Sequence, residues 1–160
     1  MSAWVISKRG DQALKDKFLK NIVSFDDVCS YCLTEPGSGS DAAALKTKAA
    51  ITNEGYSLNG SKSFISGGGF SDLYVVLCRT GDQTPNGISM VLVENGQKGL
   101  SFGKKEQKMG WKAQPTAIVQ FDNCSIPAAN LVGEEGAGFK YAMEGLDGGR
   151  LNIAAASLGG

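Results

Sequence analysis

Apolar side chains along this chain repeat with different periods, and the main change falls near Pro127. Near the start, Leu14, Phe18 and Ile22 recur every four residues behind Asp11. That spacing predicts a packing helix over about residues 11–22 with Asp11 as its N-cap. From Tyr31 to Pro127 the apolar positions alternate or gather into short runs. Tyr56 and Leu58 alternate up to Asn59-Gly60, a two-residue hairpin signal, and a second strand follows over Ser63–Ser66. Leu73 to Cys78 is continuously apolar, which predicts a strand buried on both faces. Ile88, Met90 and Leu92 alternate with Ser89, Val91 and Val93; Leu100–Phe102 is short; Thr116–Phe121 alternates and ends near Asn123 and Pro127. Seven or eight short strands between Gly, Asn, Asp and Pro turns predict a mainly β fold, an antiparallel two-sheet barrel or sandwich. After Pro127 the helical period returns, with Phe139, Ala142/Met143, Leu146, Arg150, Ile153 and Ser157 on one face. Gly148-Gly149 inside that helix costs about 1 kcal/mol per residue against alanine, so something is expected to approach closely there. The pattern is still running at Gly159-Gly160, and the chain therefore reads as a fragment.

Composition narrows the function classes. A chain of 160 residues is long enough for one domain with a sizeable core. Sixteen basic and sixteen acidic residues cancel without a long block of one sign. This argues against a nucleic-acid or anionic-membrane surface, which needs a concentrated positive field. No apolar run approaches the ~18 residues of a membrane span. Cys29-x-x-Cys32 suggests zinc or a redox pair, but the other cysteines, Cys78 and Cys124, stand alone and the chain has no histidine. Four unpaired, mostly buried thiols in a reducing compartment, and no metal, is the preferred reading. Met1-Ser-Ala-Trp lacks the basic and apolar regions of a signal peptide, so any targeting segment is expected upstream.

The stretch Tyr31 to Asp41 concentrates the candidate chemistry. A β-prone run, Tyr31–Thr34, meets Glu35-Pro36, and Pro36 forces the strand to end in a loop containing Gly37 and Gly39. The glycines admit close approach of a ligand, while Thr34, Ser38 and Ser40 add hydroxyls beside backbone N–H groups. Such a loop suits a phosphate or diphosphate bound by hydrogen bonds rather than by bulk charge. Taken alone, Gly-Ser-Gly-Ser is equally the composition of a plain surface turn.

The whole stretch resembles the flavin-binding signature of the acyl-CoA dehydrogenases. Asn59-Gly60-Ser61-Lys62-Ser63-Phe64-Ile65-Ser66-Gly67 resembles the family's second flavin segment. Gly133-Glu134-Glu135-Gly136-Ala137-Gly138-Phe139, followed by Asp147-Gly148-Gly149-Arg150, resembles the entry to its substrate-side helix. The Tyr-Cys-Leu-Thr opening, Phe-Ile-Ser and Gly-Gly-Arg look most like the members that oxidise isobutyryl-CoA.

The resemblance implies three parts: residues 1–28 from the end of an N-terminal helical domain, 29–128 as a β middle domain that binds FAD, and 129–160 as the start of a C-terminal helical domain. It implies α,β-dehydrogenation of a short branched acyl-CoA in valine breakdown. A carboxylate would take the α-proton and the β-hydride would pass to the flavin. Electrons would go on to an electron-transferring flavoprotein, and the assembled protein would be a homotetramer. Its place would be the mitochondrial matrix in a eukaryote, or the cytoplasm in a bacterium. The implied FAD contacts are Tyr31, Cys32, Leu33, Thr34, Gly37, Ser38, Gly39 and Ser40, with Phe64 against the ring, Ile65, and Ser66 near its reactive nitrogen. Many relatives carry Trp and Thr where this chain has Phe64 and Ser66. Ser40, Asp147, Gly148, Gly149 and Arg150 are the implied substrate contacts, although Asp147 and Arg150 also make an ordinary i,i+3 surface pair. Some members carry the base at the position of Gly149; glycine takes no proton, so no catalytic base is expected in this chain. Two alternatives stay open: another short-chain acyl-CoA as substrate, or a non-catalytic truncated homologue acting as a binding module.

Overall fold

The computed structural model describes residues 1–159. Helix α1, Ser2–Arg9, opens the chain and has no strong sequence signal. Asp11 then caps α2, Gln12–Leu14, accepting a hydrogen bond from the Leu14 amide at 2.8 Å. The helix continues through a π-helical turn, Lys15–Leu19, into α3, Lys20–Ser24. A strict four-residue apolar repeat is wider than the α-helical 3.6, and a π turn underwinds the helix to match it. Leu14 and Phe18 therefore stay on the buried side.

Seven strands follow: β1 Cys29–Cys32, β2 Lys48–Thr52, β3 Gly55–Ser66, β4 Leu73–Arg79, β5 Ile88–Glu94, β6 Leu100–Phe102 and β7 Thr116–Pro127. They form one hydrogen-bonded sheet in the order β1-β4-β2-β3-β7-β6, with β5 on the other edge of β4. The expected arrangement of two antiparallel sheets is thereby corrected. β1 runs parallel to β4, from Cys29 opposite Leu73 to Cys32 opposite Val76, and β2 meets the end of β4 in parallel at Lys48 opposite Arg79. Alternation reports which face a side chain buries and carries no information on strand direction.

A second correction concerns Asn59-Gly60. The chain does not turn there; β3 runs straight through, and the hairpin reverses at Asn53-Glu54, between the paired Thr52 and Gly55. Asn59-Gly60 instead faces a bulge in β7: from Leu58–Cys124 to Gly60–Phe121 β7 has one residue more than β3, at Asp122-Asn123, where Asn123 has φ of 49°. Gly60 has φ of 144°, and a Cβ there would lie 2.5 Å from the Thr47 hydroxyl. The Asn-Gly pair thus supplies a positive-φ glycine opposite a bulge of the neighbouring strand rather than a turn.

The two faces of β4 bury two cores, as its unbroken apolar run predicts. Leu73, Val75 and Leu77, with Ile88, Met90 and Leu92 of β5, pack under Val5, Ile6, Leu14, Phe18, Tyr141 and Ala142. Tyr74, Val76 and Cys78, with Val91 and Val93, meet Leu58 and Ile65 of β3 and Val119, Phe121 and Ile126 of β7. The sheet curls around this second core into a half-barrel.

Helix α4, Gly138–Gly159, closes the described chain. Its first turns pack on the sheet through Tyr141 and Ala142, and Arg9 of α1 lies 4.9 Å from the Tyr141 ring centre and pairs with Glu144. The expected buried face stops early, since Arg150, Ile153 and Ser157 are exposed. The periodicity is real, but no strand or other helix among the described residues covers that end. No described helix is long and apolar enough to cross a membrane.

Because Leu77 is fully buried on β4, Leu77→Ala is expected to cost about 2–5 kcal/mol. Ile51→Ala, at an exposed position on β2, should stay within about 0.5 kcal/mol. Urea unfolding of the two variants checks the contrast.

Candidate functional site

Pro36 ends the extended run after β1, as its fixed φ requires. Glu35 and Ser38 then close a tight turn, the Glu35 amide donating to the Ser38 carbonyl at 3.0 Å and the Ser38 amide to the Glu35 carbonyl at 3.1 Å. The Ser38 hydroxyl donates to the Asp41 carbonyl at 2.6 Å and is buried, so it holds the loop rather than facing outward. Gly37, Gly39 and Ser40 are exposed, with nothing within 4 Å of where a Cβ would stand on either glycine. The loop offers bare backbone N–H groups and one free hydroxyl, the donor set an anionic group requires.

Glu35 faces the other way. Its carboxylate is 7% exposed and meets Lys62 of β3, which is fully buried, at 2.8 Å. Lys62 also donates to the Leu33 carbonyl at 3.1 Å. The Glu35 oxygens accept in addition from the Lys46 amide at 2.6 Å and the Thr47 amide at 2.9 Å. Burial pushes the Glu35 carboxyl up, but the Lys62 charge and these hydrogen bonds outweigh it and hold its pKa below the ordinary range. Burial also lowers the Lys62 pKa, with Glu35 opposing. Four segments meet at this pair: the end of β1, the loop, the entry to β2, and β3.

A second buried cation, Arg79 at the end of β4, grips the far side of the same segment. It donates to the carbonyls of Leu45 at 3.2 Å, Ala43 at 2.8 Å and Thr84 at 2.9 Å, and to that of Asp82. Sequence reasoning missed Glu35, Lys62 and Arg79 as anchors. Lys62 was legible in principle: counting by twos from Tyr56 and Leu58 puts it on the inward face of β3. Arg79 carried no such signal beyond closing an apolar strand.

Beside the loop, the Ser63 amide donates to the Thr34 carbonyl at 2.8 Å, which brings the second predicted segment against the first. The next residue, Phe64, has φ of 57° and is 69% exposed, at a bulge of β3. A left-handed phenylalanine is strained, and such strain gathers at functional sites. Here it turns an aromatic ring outward next to Thr34. Ile65 is buried in the sheet core, and Ser66 is exposed, its carbonyl accepting from Ser30 at 2.6 Å. Of the predicted cofactor contacts, Thr34, Gly37, Gly39, Ser40, Phe64 and Ser66 share the accessible surface, Thr34 only partly. Cys32, Ser38 and Ile65 point their side chains inward, while Leu33 and Tyr31 are half-buried. The Tyr31 hydroxyl is a buried polar atom without a partner, and burial raises its pKa.

The predicted substrate residues lie elsewhere, on the exposed part of α4. Asp147 and Arg150 pair at 2.8 Å with 73% of each side chain exposed. Gly148 faces open space, whereas a Cβ on Gly149 would meet Met1 Cε at 3.0 Å. The cysteines are all free, and Cys29 and Cys32 point to opposite faces of β1. Burial raises their thiol pKa values, to about 11 for Cys29 and Cys124 and about 12 for Cys78. They are poor nucleophiles at neutral pH.

Removing one partner of the buried pair leaves the other charge uncompensated, so Lys62→Met is expected to cost about 3–5 kcal/mol. The double variant Lys62→Met/Glu35→Leu should recover a large part of that loss in urea unfolding. The folded Glu35 pKa lies below its unfolded value. Its contribution is therefore present above the unfolded glutamate value of about 4.3 and is lost as pH falls through that value towards the folded one. Glu35→Gln should accordingly flatten the acid limb of stability against pH.

The acyl-CoA dehydrogenase middle-domain model matches residues 30–124, more than half of the chain. The mitochondrial isobutyryl-CoA dehydrogenase of Bos taurus is 54% identical over 159 residues, covering 99% of this chain and 38% of the bovine protein. The solved butyryl-CoA dehydrogenase of Megasphaera elsdenii superposes with a TM-score of 0.95 at 43% identity, over 98% of this chain and 42% of that one. A structure described as an FAD complex of PigA gives a TM-score of 0.86 at 30% identity, over 89% of this chain and 37% of that one. The chain thus spans about two-fifths of the length of these relatives. The chain belongs to the acyl-CoA dehydrogenase family, and the family's middle-domain model covers residues 30–124.

Proposed function

We propose that this chain is the FAD-binding middle segment of a flavoprotein that dehydrogenates a short branched acyl-CoA, with isobutyryl-CoA in valine breakdown as the substrate. The observation that carries the reading is the joined surface of Thr34–Ser40 and Phe64–Ser66, where bare backbone donors and a strained, outward aromatic ring sit side by side. Thr34, Gly37, Gly39 and Ser40 would hold the polar parts of FAD by hydrogen bonds, Phe64 would lie against the ring system, and Ser66 would direct its hydroxyl to the ring edge. Tyr31 and Leu33 would contribute from the β1 side. Cys32, Ser38 and Ile65 would act through backbone and by fixing the loop. When bound, the flavin supplies a hydride acceptor.

Ser40 and the Asp147–Arg150 turn of α4 would contact the CoA thioester and pantetheine, the glycines leaving room for the chain. The base belongs to a C-terminal segment beyond residue 160, because Gly149 cannot take a proton. Residues 1–28, 29–128 and 129–160 would then belong to three successive domains. Electrons would pass to an electron-transferring flavoprotein, and the assembly would be a homotetramer. The mitochondrial matrix, or the cytoplasm of a bacterium, suits this role. The higher identity to the isobutyryl-CoA enzyme than to the butyryl-CoA enzyme favours the branched substrate.

The test uses the full reading frame around this chain. Flavin bleaching by isobutyryl-CoA in preference to butyryl-CoA is expected; a colourless product, or the reverse preference, overturns the substrate reading. Residues 1–160 alone should bind FAD weakly and show no turnover. Phe64→Ala, which removes an exposed ring, should weaken FAD binding by about 0.5–1.5 kcal/mol while leaving unfolding of the cofactor-free protein nearly unchanged. Fluorescence titration with FAD reads the first effect and urea unfolding the second.

A further inference from the structure

Three asparagines in the chain precede glycine: Asn59-Gly60, Asn86-Gly87 and Asn95-Gly96. This dipeptide is chemically labile, because glycine leaves the following backbone nitrogen unhindered and asparagine carries an electrophilic amide. The fold treats the three pairs very differently.

Asn59 is clamped. Its Oδ1 accepts from the Asn123 amide at 2.8 Å, and its Nδ2 lies 3.4 Å from Asn123 Oδ1. Gly60 sits within β3 opposite the β7 bulge, crowded by Thr47. Asn86 is in a 3-10 turn, Pro85–Gly87. The Gly87 nitrogen is committed to the Thr84 carbonyl at 3.0 Å, and the Gly87 carbonyl accepts from Thr80 and Gly81, each at 3.0 Å. Gly87 is buried. In neither pair can the nitrogen reach the side-chain carbon without local opening.

Asn95-Gly96 is the opposite case. Both residues are exposed in the connection between β5 and β6, and nothing lies within 4 Å of where a Cβ would stand on Gly96. The Gly96 nitrogen donates to Asn95 Oδ1 itself at 2.9 Å, which places the nitrogen beside the carbon it would attack. Gly96 has φ of 82°. Its flanks are held by the Asn95 amide, which donates to the Asp72 carbonyl at 2.8 Å, and by the Gln97 side chain, which donates to the Ser125 carbonyl at 2.5 Å. The contact across the turn itself, from the Gln97 amide to the Glu94 carbonyl, is long at 3.4 Å.

We propose that Asn95-Gly96 is a site of spontaneous deamidation in the folded protein. The Gly96 nitrogen loses its proton and bonds to Asn95 Cγ; the bond from Cγ to Nδ2 breaks and the nitrogen leaves as ammonia. Water then opens the cyclic imide at one carbonyl or the other, giving aspartate or isoaspartate. The net reaction consumes one water and needs no oxidant or enzyme. The new carboxylate moves the formal net charge from zero to one negative. It also stands next to Glu94, the residue that ties β5 to the π-helical turn Lys15–Leu19 through Lys17 at 2.7 Å.

Incubation of the purified native chain at mildly alkaline pH, followed by peptide mass mapping and isoelectric focusing, tests the assignment. Acid should appear at Asn95 roughly tenfold or more faster than at Asn59 or Asn86, since each ~1.4 kcal/mol of local opening costs a factor of ten. The rate should rise with pH, because the attacking nitrogen must be deprotonated. In urea the three sites should converge, which separates the effect of the fold from that of the dipeptide. Asn95→Gln, at an exposed position, should abolish the leading acidic band. The proposal is overturned if Asn59 or Asn86 reacts as fast as Asn95 in the native protein. It is equally overturned if Asn95 stays an amide while its unfolded counterpart converts.

Discussion

A lysine with no exposed surface and a nearly buried glutamate cannot both leave water unless each satisfies the other. The Glu35–Lys62 pair meets that condition, with three backbone groups taking up the remaining donors and acceptors. The pair joins segments remote in sequence, so the loop that follows β1 is anchored from behind. Arg79 repeats the device at the other end, by carbonyl oxygens rather than by a counter-charge. Between these two buried cations, Gly37 to Ser40 project outward. Glycines normally make such a stretch mobile; here its freedom is confined to a few residues between rigid ends. That is how a Gly/Ser sequence becomes a shaped binding surface.

The half-barrel contributes the second component. A bulge in β3 between Lys62 and Ile65 alters the direction of its side chains and brings Phe64 out of the sheet beside Thr34. An unbroken β3 would alternate regularly and bury either this ring or its neighbour. The strain at Phe64 and the buried charges at Lys62 lie two residues apart, so the structure concentrates its costs where the site is.

Much of this was legible in the sequence, for reasons that can be named. The continuous run of β4, the short β6, the Asp11 cap and the second period after Pro127 all follow from local burial patterns, which need no knowledge of partners. Strand direction was not legible, because β1 pairs with a strand more than forty residues away and alternation is the same for either direction. Asn59-Gly60 specified positive φ correctly at Gly60, yet such a glycine serves a turn or a strand position opposite a bulge; only the register with β7 decides. In the site, the motifs identified the right backbone, but side-chain direction corrected the detail. Ser38 and Ile65 turn inward, and Glu35 and Lys62, ordinary charged residues by composition, form the anchor beneath them. On α4 the periodicity continued where burial stopped, since a pattern predicts a face and not what covers it.

The central claim is that FAD lies across the surface made by Gly37–Ser40 and Phe64–Ser66. Amide hydrogen exchange of the full-length protein with and without FAD tests it most directly. The amides of Gly37, Gly39 and Ser40 have no acceptor among the described residues, whereas those of Ser38 and Ser63 are already bonded. The account predicts strong new protection at the first three and at Phe64, with little change at Ser38 and Ser63. Unchanged exchange at Gly37, Gly39 and Ser40 in the flavin-loaded protein would contradict it.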